Sequence, residues 1–568
     1  MVENITNYIM NRSLSTTLLL LVVGCLHGQE ILVDESYNDW TDDMLLIQDT
    51  AGDGPSNGID IGRLWAANDQ EYLYLRVQLG KVINMQDDNE LTLYIDTDND
   101  LNTGRKINGI GAELEWVFGD RDGTLYDSSG DDVFLQHEDI DLMTSPSVSS
   151  SEFEIALKRF AFVDGINLDI SGTISIRVED NGSNGDDLPN SIGGVEYQLG
   201  NTTRDFHDYD LSRQFPTDLR VMTLNVLDDN LFDPTLYQAF QRQLSLVDPD
   251  IIALQEVRSF TSTQTRDIVR QMLPGTWFHN KSSFGNVVLL SRYPILDDEG
   301  MNGNEAHLID VNGTEIIVIN MHLPCCDNNV ERQQEVDNMM AYIRDLRSDL
   351  NDIKVEANTP IIIMGDSNLV GDRLQQQTLL TGQIQNTATH GPAFAPDWDG
   401  TNLEDAKPLA TGTPYTKTWY NRSGSFSSGR LDYIIYTGSV LWLQNSFVIS
   451  TRDMSSADRA TYGVNFSDSQ LASDHLPTVA DFAFTTVATA DMPDVDVVLY
   501  PNPASELLQI QAKDQAEIED IKIFDLMGRL HLTQQHNGPI DISAMPAGAY
   551  VVRFVVDQEL VSKRFTKL

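Results

Sequence analysis

Polar residues of a few chemical types stand where runs of apolar residues end. Asn225 follows the run 219–224, Glu256 follows 251–255, and His322 follows 316–321. Asp366 and Asn368 follow 361–365, Asp432 opens 433–436, and Asp474 and His475 precede Leu476 and Pro477. Loops at strand ends hold side chains on a rigid base, which is where ligands bind in layered folds. One such residue is ordinarily a turn former; a whole set of carboxylates, amides and imidazoles in one region is hard to assign to turns. The set suits metal-assisted cleavage of a phosphodiester. A hard cation takes carboxylate and amide oxygens, offered by Glu256, Asn225 and Asp474. His322 and His475 can donate to phosphate oxygens or relay a proton, and Asp366 with Asn368 can orient the attacking water. No cysteine or histidine cluster suits zinc, and no Gly-x-Ser-x-Gly elbow is present, so serine catalysis is not supported.

The elements that must position these residues alternate. Runs at 219–224, 251–254, 287–290, 316–319, 361–364 and 433–436 are mostly apolar throughout, as fully buried strands are. Between them lie helical patterns such as 331–349, with apolar residues at Val336, Met339, Met340 and Ile343. Strands interleaved with helices predict a layered α/β domain over 218–485.

Both flanks read as β. In 30–200, short aromatic and β-branched runs (72–77, 91–95) are separated by Gly, Asn and Asp clusters at sandwich-like spacing. The loop 96–104 places Asp96, Asp98, Asp100 and Asn102 at alternate positions. It is either a Ca²⁺ loop or a solvated acidic turn, and the closing glutamate of an EF-hand is absent. The Gly/Asn/Asp-rich stretch 181–216 has little periodicity, and 201–217 is taken as a linker. Residues 492–568 return to short strands with turns at 501–503, 527–529 and 546–548, a small β-sandwich pattern.

The chain of 568 residues carries a formal charge of −49. The balance is 40 acidic against 12 basic residues in 1–217, 34 against 18 in 218–485, and 12 against 7 in 486–568. No basic tract exists to hold a polyanion by counterion release, so any such substrate must be met locally. The apolar run 16–26 after Arg12 reads as a signal peptide cleaved after Gly28; lipidation at Cys25 is the alternative. No other stretch approaches ~18 apolar residues, so no transmembrane helix is expected. The remaining cysteines, Cys325 and Cys326, are adjacent: a vicinal disulfide or two reduced thiols.

Six motifs occur in order: Thr223-Leu224-Asn225, Gln255-Glu256-Val257-Arg258, Asn320-Met321-His322-Leu323, Gly365-Asp366-Ser367-Asn368, Gly429-Arg430-Leu431-Asp432-Tyr433 and Ser473-Asp474-His475-Leu476-Pro477. Together they resemble the endonuclease/exonuclease/phosphatase superfamily, the fold of pancreatic deoxyribonuclease. The resemblance implies a four-layer αββα sandwich and a phosphoesterase dependent on Mg²⁺ (or Mn²⁺). It implies Glu256 as principal metal ligand with Asn225 and Asp474 assisting, and His475 paired with Asp432 as the acid/base element. Asp366 and Asn368 become the pair that positions water and phosphate, and His322 a phosphate donor. Leu227 stands where repair-type members carry a second acidic ligand, which disfavours an abasic-site endonuclease. The segment 428–432 lacks the Trp-Cys-Asp-Arg signature of inositol phosphatases. No second glutamate is identified to orient His322. The last 75 residues resemble the type IX secretion sorting domain of Bacteroidetes, through Tyr500 to Ala504, Ile523 to Arg529, Met545 to Tyr550 and the closing Lys563-Arg564-Phe565. The first domain is similar, more weakly, to sugar-binding and DOMON-like sandwiches.

Other residues keep two readings. Arg258 is a surface salt-bridge partner or a phosphate contact. Trp419, Tyr420, Arg422 and Arg430 flank the loop 421–429 and either clamp a nucleotide or pack the loop base. His279, His307 and His390 are assigned to surface or loop roles, and the helix 331–349, with Arg332, Arg344 and Arg347, to a solvated outer layer. The expectation is a multidomain, secreted or cell-surface phosphodiesterase: an αββα catalytic domain between two all-β sandwiches. It is monomeric, met by the type IX machinery, and acts on nucleic acid. The alternatives are a sphingomyelinase-like phospholipid phosphodiesterase and a secreted binding protein without activity.

Overall fold

A computed structural model describes residues 30–484 and 497–568, apart from 51, 53, 55–57, 183–184, 205, 207–208, 283–284, 349–350, 421–425, 513–517, 526–529, 547 and 557–558. The expected export segment 1–28 and Arg422 lie outside the described residues. The chain is mostly β, in several sheets with few helices. Among the described residues no helix is long and apolar enough to cross a membrane.

Within 218–485, two sheets carry the predicted strand ends. The first runs Phe278–Lys281, Val288–Ser291, Ile251–Gln255, Leu219–Asn225, Thr478–Phe484, Leu441–Val448 and Leu409–Ala410. The second runs Ile295–Met301, Asn304–Val311, Thr314–His322, Ile361–Asp366, Asp432–Tyr436 and Glu404–Asp405. Near the middle of each sheet lies one parallel pair, Leu219–Asn225 with Ile251–Gln255 and Thr314–His322 with Ile361–Asp366. A further parallel pair, Leu409–Ala410 with Leu441–Val448, sits at the edge of the first sheet. The remaining neighbours are antiparallel.

The strands are apolar on both faces because both faces are covered. Val221, Ala253 and Leu289 of the first sheet meet Val318, Ile362 and Ile434 of the second in one cluster. The outer face of the first sheet packs on Phe240 and Leu244 of the helix Tyr237–Val247 and on Val269 of Ser262–Met272. The outer face of the second packs on Val336, Met339, Met340 and Ile343 of Asn329–Leu346. Each fully buried Ile or Val of this kind contributes ~1.5–3 kcal/mol. The helix at 262 starts where a capping box forms, Thr261 and Gln264 satisfying each other's amides.

Two expectations fail here. Arg332 does not belong to a solvated layer: it is fully buried, donating to the carbonyls of Pro324 and Cys326 and to the Asn329 side chain. Arg344 and Arg347 are half-buried and tie the helix to carbonyls at 390–396. His307 is likewise interior, with its imidazole 3.2 Å from Glu305.

In 30–200, a five-stranded sheet (Leu45–Gln48, Ile61–Asn68, Tyr72–Ile83, Ser150–Lys158, Met143–Ser145) and a seven-stranded one share a single apolar core, with Leu64, Leu75 and Phe153 against Leu93, Trp116 and Ile176. The stretch after 181 is not all linker: Asp187–Leu188 and Val195–Gln198 pair with Thr173–Asp180. Residues 201–217 hold no helix or strand among those described, yet Phe206 and Leu211 are buried. Phe206 joins Trp40, Tyr72 and Tyr415 in a cluster that spans both parts of the chain, and Val33 forms a β-bridge with Tyr415. The C-terminal residues form a three-stranded and a four-stranded antiparallel sheet around Ile523, Val552 and Phe554.

Candidate active site

Register brings the polar residues together. His322 lies opposite Asp366, and Asp366 opposite Asp432, so three neighbouring strands end in one row. In the facing sheet Asn225 lies opposite Gln255, one residue before Glu256. The backbone is strained at three turns: Glu256 has φ 60°, Asn368 φ 50°, and Leu227, Asp228 and Asp229 are all left-handed. Residues held so are sparsely populated and persist only where their surroundings over-determine them.

Asp366 stands at the centre. Its Oδ2 accepts from Asn225 Nδ2 at 2.9 Å and Asn368 Nδ2 at 3.1 Å. It also lies 3.5 Å from His322 Nε2 and 3.7 Å from His475 Nε2. Its Oδ1 accepts from the Asn368 amide. Asn225 Nδ2 further reaches Glu256 Oε1 at 3.2 Å. Glu256 Oε2 accepts from the Asp228 amide at 2.9 Å and lies 3.4 Å from Arg258. Burial opposes the Glu256 charge, but these donors, with His322 and Arg258, hold its pKa below the usual glutamate range.

On the other side, His475 Nδ1 lies 2.8 Å from Asp432 Oδ2, and both side chains are buried. Thr418 Oγ1 accepts from the amides of Leu431 and Asp432 and fixes the start of that strand. Burial works against charge on the imidazole, but Asp432, Asp366 and Asp474 outweigh it and push His475 up to about 10. Burial pushes Asp432 up to about 6 against the pull of His475. The negative potential of Asp366 raises both.

Single ligand atoms of Asp366, Asp432 and His475 lie within 4.8 Å of one another, and Asp432 Oδ1 is buried without a partner. With Glu256 on the opposite side of Asp366, the donors are carboxylate oxygens beside imidazoles, a set that fits a hard divalent cation; Asn225 turns its Nδ2 to Glu256 and Asp366, and its Oδ1 accepts from the Leu227 amide. Asp474 is engaged elsewhere, accepting from Trp419 Nε1 at 3.1 Å and Ser473 Oγ at 3.4 Å.

One residue was not foreseen from sequence. His322 Nδ1 lies 2.7 Å from Asn286 Oδ1, so an amide takes the place sought for a glutamate. The His322 amide donates to Asn304 Oδ1, and Asn304 in turn donates to Glu335. Only the position of Asn286, directly before the apolar run 287–290, hinted at it.

Arg430 is not available to substrate. It is 3% exposed, ion-paired with Asp405, and stacked 3.9 Å over the Tyr433 ring. Tyr420 also packs the loop base, its hydroxyl donating to Asp453. Arg258 is half-exposed beside Asp228 and Glu256. Cys325 and Cys326 are free, exposed thiols. Asp96 and Asp98 come together, whereas the carboxylate of Asp100 turns back to Asn102.

Residues 222–475 match the endonuclease/exonuclease/phosphatase family, whose members hydrolyse phosphoric esters. Residues 498–567 match a secretion system C-terminal sorting domain, which marks the chain for secretion or attachment at the cell surface. No curated protein matches the chain. Similar solved structures include the catalytic domain of human Nocturnin (17% identity, covering 48% of this chain and 96% of that one, TM-score 0.32). They also include a humanised D. rerio TDP2 (15%, 47% and 99%, TM-score 0.31) and an endonuclease/exonuclease/phosphatase family protein from Leptotrichia buccalis (16%, 47% and 100%, TM-score 0.29).

Proposed function

We infer that residues 218–485 form an αββα phosphodiesterase domain dependent on Mg²⁺ or Mn²⁺, and that its substrate is extracellular nucleic acid. The observation that carries this reading is Asp366 Oδ2 within 3.7 Å of two imidazoles and two amide nitrogens, with His475 braced by Asp432. Glu256 and Asn225 would hold the cation, with Asp474 at its margin; when bound, it neutralises charge developing on the phosphate. Asp366 and Asn368 orient a water and Asp366 takes its proton. The charged His475 gives a proton to the departing oxygen, and Asp432 keeps its ring in one orientation. His322, fixed by Asn286, donates to a phosphate oxygen, and Arg258 meets the phosphate from the open side. An N-terminal signal peptide and the type IX machinery deliver the chain outside.

Plasmid DNA, RNA and sphingomyelin, each with Mg²⁺ and with EDTA, test the reading. Nucleic acid cleaved only with the metal is the expected result. Cleavage of sphingomyelin alone would move the substrate to phospholipid. No metal-dependent cleavage of any of the three would leave a binding protein.

A further inference from the structure

The loop leaving the strand Leu91–Asp96 gathers three carboxylates that phosphodiester cleavage does not use. Single oxygens of Asp96, Asp98 and Glu113 lie within 4.8 Å of one another. Glu113 comes from the next turn, one residue before the strand Leu114–Val117. Asp96 and Glu113 are buried, 2% and 8% exposed, whereas Asp98 is open to solvent. Both Asp96 oxygens are spoken for, by the amides of Asn99 at 2.7 Å and Gly111 at 3.1 Å. Glu113 Oε2 accepts from the Thr97 amide and hydroxyl. Its Oε1 is buried; the Thr103 hydroxyl beside the carboxylate gives its proton to the Asp100 carbonyl at 2.8 Å, so that oxygen is left without a hydrogen bond of its own. A buried charged oxygen is costly unless something completes it. The neighbouring cation does not, since Arg105 pairs with Glu115.

The space before that oxygen is kept clear by Gly104, at φ +58°. A Cβ there would come within 2.8 Å of Glu113 Oε1 and 2.4 Å of the Ala112 carbonyl. A Cβ on Gly111 would strike the carbonyls of Asp100 and Thr103 at 2.4 and 2.5 Å, so the loop packs closely on Gly111, whose amide donates to Asp96. Three carboxylates on a bent loop suit an ion that takes about six to eight oxygens in loose geometry, and suit Mg²⁺ poorly.

We propose that Asp96, Asp98 and Glu113 bind Ca²⁺ in the N-terminal domain, with loop carbonyls and water completing its shell. The ion clamps the loop 96–104 to the turn before Leu114. Asp100 and Asn102 lie outside this cluster and are turned to each other. This site is independent of the phosphodiesterase reading.

The test uses the full chain, stripped with EDTA and titrated with Ca²⁺ by calorimetry and by thermal melting, for wild type, Glu113→Gln, Asp98→Asn and Glu256→Gln. Wild type and Glu256→Gln should bind Ca²⁺ and melt at higher temperature. Glu113→Gln and Asp98→Asn should bind about tenfold more weakly or worse while keeping wild-type cleavage of phosphodiesters with Mg²⁺. Asp98 is at the surface, so its variant serves even if Glu113→Gln fails to fold. Unchanged Ca²⁺ affinity in the folded variants, or no uptake by wild type at millimolar Ca²⁺, overturns the proposal. Loss of Ca²⁺ binding in Glu256→Gln alone also overturns it and puts the ion at the catalytic centre.

Discussion

Asn286 holds the imidazole of His322 through a 2.7 Å contact at Nδ1, leaving Nε2 aimed at Asp366. An amide oxygen accepts from Nδ1–H and fixes the orientation of the ring, yet adds no charge. Asn286→Ala should therefore lower kcat by about 10- to 100-fold with little change in KM, as loss of an orienting partner does. Asn286→Asp should restore most of it. Steady-state kinetics on one phosphodiester decide the matter; a KM effect alone would make Asn286 a substrate contact.

His475→Ala should reduce kcat by roughly 10²- to 10⁴-fold, the span expected for loss of an acid/base group. Glu256→Ala should abolish turnover at ordinary Mg²⁺. Circular dichroism should show both variants folded. Most of the activity surviving in either one refutes the site.

Ser147 lies in the β-rich stretch 30–200 but is within 3.2 Å of the carbonyls of Leu369 and Arg430, one residue past Asn368 and two before Asp432. Ser147 has one proton to share between these two buried carbonyls, so Ser147→Ala leaves one of them short of a donor, a cost of about 1–3 kcal/mol. The variant should melt earlier and lose kcat. An unchanged kcat would mean that the first domain does not steady the catalytic loops.

His137 is buried edge-on to Trp116, with ring centroids 4.6 Å apart, and burial lowers its pKa to about 3. The unfolded chain takes up this proton near pH 6.5, whereas the folded chain refuses it until about pH 3. Stability from the neutral imidazole is present above pH 6.5 and is lost as pH falls through that window. Relative to His137→Phe, wild type should lose up to about 1.4 kcal/mol per pH unit below 6.5. Parallel melting curves of the two proteins down to pH 4 would contradict this.

Strand ends were legible because apolar runs mark where strands stop, and Asn225, Glu256, His322 and Asp366 sit one residue beyond or at those stops. What sequence could not carry was lateral: which end lies beside which. That is set by nonlocal pairing, such as Asp366 opposite Asp432, 66 residues on. Arg430 misled because it precedes the strand Asp432–Tyr436, in a stretch whose direction no periodicity sets; Asp432 meets His475, while Arg430 turns inward to Asp405. Asn286 escaped notice because an asparagine after glycine reads as a turn. Glu113 escaped because its partners Asp96 and Asp98 lie a hairpin away.

Tyr415, fully buried, forms its bridge with Val33 and meets the ring of Tyr72, and Arg452 reaches Glu138 of the first domain. A recombinant fragment cut at residue 218 would strip the cover from these side chains. It would expose Tyr415 to solvent and leave Glu35 absent from beside Arg430. The smallest piece worth expressing for enzymology therefore begins near residue 30.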